Sequence, residues 1–115
     1  MLLVDDDESL RRALARTIRR GGFEVEAFES AEALMAHGIP ERGACLVLDV
    51  DLPGIGGIDL RRSLVSKGRD LPTIFITALQ TEEVSEPLAK LSPVAVLFKP
   101  FSKEELLAAI ERACG

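Results

Sequence analysis

Tryptophan and tyrosine are absent from this chain, histidine occurs once, at His37, and cysteine only twice, at Cys45 and Cys114. So few thiols and imidazoles, at no metal-ligand spacing, argue against a zinc module and a disulfide framework. Cys45 lies in an apolar run and reads as a buried small hydrophobe; Cys114, beside the terminus, reads as part of a frayed end. No apolar run approaches the ~20 residues needed to span a bilayer. Met1-Leu2-Leu3-Val4 runs directly into acids, without the basic flank and long apolar core of a signal peptide. A cytoplasmic protein with no membrane association is therefore expected. Positive charge is also in deficit: the net charge is −5, a field that repels nucleic acid and argues against direct DNA binding. What is present is ordinary for a globular protein, with 47% hydrophobic and 29% charged residues in 115, enough chain for one domain (1–115) with a core that needs no staple.

Strand-like and helix-like segments alternate from end to end. Apolar runs predict strands at 1–4, 24–28, 44–48, 73–76 and 95–98. Between them, helical spacing appears in Leu10, Leu14 and Ile18; Ala31, Leu34 and Met35; Ile58, Leu60 and Leu64; Val84, Leu88 and Leu91; and Leu106, Leu107 and Ile110. Gly21-Gly22 is suited to ending the first helix and Ser30 to capping the second, while Ser102 and Glu105 have capping-box spacing at the last. Pro87 would break the fourth helix unless it sat in the first turn, so that helix is expected to be short or to start late. Five βα units imply a flavodoxin-like three-layer sandwich, with helices on both faces of a parallel sheet ordered 2-1-3-4-5.

In such sheets ligands bind beyond the carboxyl ends of the strands. Four runs end there in polar residues: Asp5-Asp6-Asp7, Asp49, Thr77 and Lys99. The acidic triplet would also suit a helix start, a role assigned to Asp7. Beside Asp49, however, clustered carboxylates repel unless a cation neutralises them or their pKa values rise. Hard oxygen ligands suit Mg²⁺, and a carboxylate held beside that ion is a competent nucleophile toward a phosphoryl donor. Asp51 has three readings: beside the site, facing solvent, or turning the chain. Thr77 offers a hydroxyl to a phosphoryl oxygen, small Ala78 leaves room beside it, and Lys99 offers a mobile point charge. Pro53, Gly54, Gly56 and Gly57 form a loop that matches no nucleotide-binding fingerprint and reads as a turn needing unusual backbone angles. Arg11, Arg12, Arg16, Arg19 and Arg20 fall off the apolar stripe of the first helix and read as a solvated face; His37 reads as a surface cation at a helix end, and Met35 as core filler.

The stretches Leu3-Val4-Asp5-Asp6-Asp7-Glu8, Leu46 through Gly57, Ile74-Phe75-Ile76-Thr77-Ala78 and Lys99-Pro100-Phe101 resemble, in order and spacing, the receiver domain of bacterial two-component response regulators. The resemblance covers essentially the whole chain, and the sequence looks most like regulators with a LuxR-type helix-turn-helix output. It implies that Asp49 accepts a phosphoryl group from a histidine kinase, and that Asp5, Asp6 and Asp49 hold Mg²⁺ together with the backbone carbonyl of Asp51. It further implies that Thr77 moves toward the phosphorylated Asp49 and that Lys99 pairs with the phosphoryl oxygen. The surface of helix 4, strand 5 and helix 5 would then control an output domain, a downstream protein or a phosphorylation-dependent homodimer. The chain departs from the family pattern at Val96, where an aromatic is usual, at Leu79-Gln80, at Asp51, and at Pro87 and Ser92-Pro93. Two competing readings are a phosphorylation-independent receiver serving only as a binding module, and an aspartate-nucleophile phosphatase of haloacid-dehalogenase type, suggested by Asp49-Val50-Asp51.

Overall fold

The protein is described by a computed structural model covering residues 1–40, 43–78 and 82–114, with the backbone alone at 82–84. Five strands and five helices alternate: β1 Leu2–Val4, α1 Glu8–Arg20, β2 Glu26–Phe28, α2 Ala31–His37, β3 Leu46–Asp49, α3 Gly57–Ser66, β4 Thr73–Thr77, α4 Glu82–Lys90, β5 Ala95–Phe98 and α5 Lys103–Cys114. All pairings are parallel and the order is β2-β1-β3-β4-β5, as the sequence implies.

Successive side chains of a strand point to opposite faces, and this period sorts the core into two layers. Leu2, Val4, Leu46, Leu48 and Phe75 face one side, where they pack with Ala31 and Leu34 of α2, Leu60 and Leu64 of α3 and Leu88 of α4. Leu3, Val47, Ile74 and Ile76 face the other, against Leu14, Ala15 and Ile18 of α1 and Leu106, Ala109 and Ile110 of α5. The central strands are apolar between their ends, at Leu46–Leu48 and Ile74–Ile76, because both of their faces are covered.

The helix ends follow their cap chemistry. Asp7 accepts from the Leu10 N–H at 3.2 Å and Ser30 from the Ala33 N–H at 3.0 Å. Ser102 and Glu105 exchange bonds reciprocally at 3.0 and 3.2 Å, and Gly21 closes α1.

Several expectations are corrected. Met35 is 40% exposed rather than core: α2 is short, its buried stripe is Ala31 and Leu34, and the next position around turns outward. Pro87 lies inside α4, past its first turn; with Leu88 buried in the core beside it, tertiary packing holds a helix that local propensity disfavours. Cys114 ends a helix instead of fraying and is joined to Cys45 by a disulfide. Asp49 is the last residue of β3 rather than the first after it, and β2 begins at Glu26. Leu79-Gln80 lies outside the described residues.

Arg61 of α3 is only 3% exposed, a burial that helical spacing did not flag. Its guanidinium donates to the Leu71 carbonyl at 2.9 Å, to Asp70 Oδ1 at 2.6 Å and to the Leu91 carbonyl at 3.5 Å. It therefore ties α3 to the approach to β4 and to the end of α4. Arg61→Ala is expected to lower stability by about 2–4 kcal/mol, because it opens a cavity and leaves carbonyls without their donor. Urea unfolding would read the loss, and an unchanged midpoint would mean that Arg61 contributes no net stability.

Candidate functional site

The parallel register aligns the carboxyl ends of β1, β3, β4 and β5. Asp49 stands opposite Ile76, Thr77 opposite Phe98, and Val4 opposite Leu48. Asp5, one residue beyond β1, anchors to the Phe28 carbonyl through its N–H at 3.1 Å. The four polar ends predicted to converge do so.

Asp5 is 0% exposed, Asp49 2% and Thr77 0%; Asp6 is exposed on the solvent side. Oxygens of Asp5, Asp6 and Asp49 lie within 4.8 Å of one another, close enough to share a cation. Each buried carboxylate spends one oxygen on a backbone N–H two residues ahead: Asp5 Oδ1 accepts from Asp7 and Asp49 Oδ1 from Asp51, both at 2.9 Å. This local bond fixes the carboxylate and aims the second oxygen into the cluster. There Asp49 Oδ2 accepts from Lys99 Nζ at 3.0 Å. Asp5 Oδ2, however, has no hydrogen-bond partner among the described residues, and Lys99 Nζ stands 3.8 Å away.

Three carboxylates against one ammonium leave the cluster short of positive charge. Burial pushes the Asp5 carboxyl up to about 6, with the neighbouring Asp49 and Asp6 charges adding to the rise against the Asp7 N–H and Lys99. Burial pulls the Lys99 ammonium down, but the hydrogen bond and charge of Asp49, with Asp5 and Asp51, outweigh it and raise its pKa above the ordinary lysine value. A buried carboxylate oxygen without a donor, facing two further carboxylates, fits a small divalent cation that prefers hard oxygen ligands.

Thr77 Oγ1 donates to Asp51 Oδ2 at 3.4 Å. The Asp51 side chain thus combines two of its three readings: it is exposed to solvent and stands beside the site, next to the Thr77 hydroxyl. Two residues were missed as contributors to the site. Arg11, read as solvated, is half-buried and donates to the Asp5 carbonyl at 3.0 Å; it stands one position outside the apolar stripe, and only the folded turn brings it back over β1. Gly57 opens α3 so close to β3 that an added Cβ would collide with the Asp49 carbonyl. In the same loop Gly54 has φ +71°, the left-handed conformation expected of this turn. The Lys99–Pro100 bond is cis. His37 ends α2 on the surface, 2.8 Å from Glu26 and stacked at an angle on Phe28, away from this cluster.

Fold and site together define a class of signalling protein, and comparison with known proteins agrees. Residues 1–111 match the family described as response regulator receiver domain. The chain belongs to this family. It is 39% identical over 113 residues to nodulation protein W of Bradyrhizobium diazoefficiens, covering 98% of this chain and 50% of that protein. It is 31% identical over 113 residues to the transcriptional regulatory protein FixJ of Azorhizobium caulinodans, covering 98% and 54% respectively. The solved structure of the response regulator StyR superposes with a TM-score of 0.90 at 39% identity, over 98% of this chain and 57% of that one. The chain thus spans about half the length of the curated relatives it matches. No helix among the described residues is long and apolar enough to cross a membrane.

Proposed function

We propose that Asp49 accepts a phosphoryl group from the phosphohistidine of a histidine kinase, and that the chain acts as a single receiver unit in the cytoplasm. The observation that carries this reading is the pairing of a buried Asp49 carboxylate, held by Lys99 Nζ at 3.0 Å, with an adjacent Asp5 oxygen that lacks a donor among the described residues. Asp49 Oδ2 attacks phosphorus, the P–N bond to the histidine breaks, and the electron pair leaves with the imidazole. Lys99 transfers its pairing from Asp49 to a phosphoryl oxygen. Thr77 exchanges its long contact with Asp51 for a phosphoryl oxygen. Asp5, Asp6 and Asp49, with the Asp51 backbone carbonyl, would hold Mg²⁺. When bound, the ion neutralises charge on the carboxylates and on the transferring group.

The output surface is that of α4, β5 and α5. Val96, where an aromatic is usual, packs partly buried against the α2–α4 core layer, so coupling to this surface does not run through an aromatic ring at this position. The relative named as a transcriptional regulatory protein and the unmatched half of its length support a transcriptional output, carried by a LuxR-type helix-turn-helix domain, a downstream protein or a phosphorylation-dependent homodimer.

Incubation with a phosphorylated histidine-kinase fragment is expected to load one phosphoryl group per chain, while a phosphate monoester is not turned over. Steady hydrolysis of the ester would instead favour the aspartate-nucleophile phosphatase. Absence of any transfer would favour a binding module that works without phosphorylation.

A further inference from the structure

At the opposite end of the sheet from the carboxylate cluster, Cys45 lies one residue before β3 and Cys114 is the last residue of α5. The two are bonded, 69 positions apart in sequence, with Cα atoms 6.3 Å apart, a distance within the span a disulfide bridges. Their surroundings differ. Cys45 is 8% exposed whereas Cys114 is open to solvent. Both line an open groove with Met1, Phe23, Glu24 and Pro72, which leaves room for a small molecule beside the bridge. The Cys45 sulfur also lies 3.4 Å from the Ala113 carbonyl, an acceptor for its S–H once the bond opens. The buried thiol of a reduced chain would thus keep a partner.

We propose that this bridge is a reversible thiol–disulfide site, at which a low-molecular-weight thiol such as glutathione attacks the exposed Cys114 sulfur. The incoming thiolate forms a bond to Cys114 Sγ, the Cys45–Cys114 bond breaks, and Cys45 leaves as a thiolate that takes up a proton. A second thiolate then attacks the mixed disulfide at the sulfur of the small molecule, releasing Cys114 as a thiol and the small molecule as its own disulfide. Overall the protein gains two electrons and two protons, and two small thiols are oxidised. In the reverse direction Cys45 attacks the mixed disulfide on Cys114 and restores the bridge. Access selects which sulfur is attacked: approach to Cys45 is blocked by its own burial, whereas Cys114 stands at the rim.

Opening the bridge frees the last turn of α5 from the start of β3, the strand that carries Asp49 at its far end. Because helix ends are the least protected part of a fold, this turn is where reduction is expected to register. The exchange uses none of Asp5, Asp49, Thr77 or Lys99, so loss of phosphorylation would leave it intact.

The test equilibrates the full chain in glutathione buffers of graded reduced-to-oxidised ratio and follows intact mass, peptide mapping and amide hydrogen exchange. Oxidised protein is expected to resist alkylation, reduced protein to take two labels, and the intermediate to carry glutathione on the peptide containing Cys114. Reduction should lower Tm by about 5 °C or more and speed exchange in the last turn of α5. Cys114→Ser, an exposed position that leaves the core untouched, should abolish the adduct and make Tm insensitive to reductant. The proposal is overturned by two alkylatable thiols under oxidising buffer, by glutathione on Cys45 rather than Cys114, or by identical Tm and exchange in oxidised and reduced protein.

Discussion

Replacing Asp5 by Asn is expected to make the metal-free protein more stable while removing its Mg²⁺-dependent phosphorylation. Asn keeps an oxygen to accept from the Asp7 N–H, the bond that Asp5 Oδ1 makes at 2.9 Å. At the position of Oδ2, which has no hydrogen-bond partner among the described residues, it sets a neutral amide in place of a buried charge. The Asp5 pKa is raised from 3.8 to about 6, so the folded state holds this proton more tightly than the unfolded chain does. Stability from this group is therefore fully present below about pH 4 and is lost as pH rises toward 6. At neutral pH the ionised Asp5 works against folding, and Asp5→Asn is expected to recover about 1–3 kcal/mol. Urea unfolding at neutral pH and at about pH 4 would show the gain at the higher pH only. A variant less stable than the parent at neutral pH would mean that Asp5 is already neutralised by its protein partners, and the case for a cation there would fail.

Gly57→Ala is expected to destabilise the fold and displace the acceptor, although helix propensity alone points the other way. Gly57 is the first residue of α3, and Ala in place of Gly inside an exposed helix gains about 1 kcal/mol. Here the new methyl group would collide with the backbone carbonyl of Asp49, and backbone cannot swing aside as a side-chain end can. The loop from Val50 to Gly56 must shift, with an expected cost of about 2–4 kcal/mol and slower phosphoryl uptake. Gly56→Ala is the control, since its Cβ would come no nearer than 3.4 Å to the Val50 carbonyl. Equal stability of the two variants would show that α3 has no fixed distance from β3.

The alternation of apolar runs with helical stripes makes the sheet legible in the sequence alone, because burial on both faces leaves a mark in β1, β3 and β4 that needs no context. The four polar strand ends were legible for the same reason: in a parallel sheet, position after a strand is already position in space. What stayed hidden depends on contacts between elements distant in sequence. Arg61 carries no local sign that its guanidinium closes the gap between α3 and the end of α4. Cys45 and Cys114 meet only because the last turn of α5 returns to the start of β3. Met35 was misplaced because a two-turn helix buries a narrower stripe than a long one, and Pro87 because Leu88 packing outweighs the broken backbone bond.

The role proposed for Asp49 is that of a Mg²⁺-dependent phosphoryl acceptor. Its most direct test is the intact mass of the chain after incubation with a small phosphodonor, with and without Mg²⁺, beside Asp49→Asn. One phosphoryl group added only with Mg²⁺, and none on the variant, is the predicted result. An unchanged mass under every condition, or equal labelling of the variant, would contradict it.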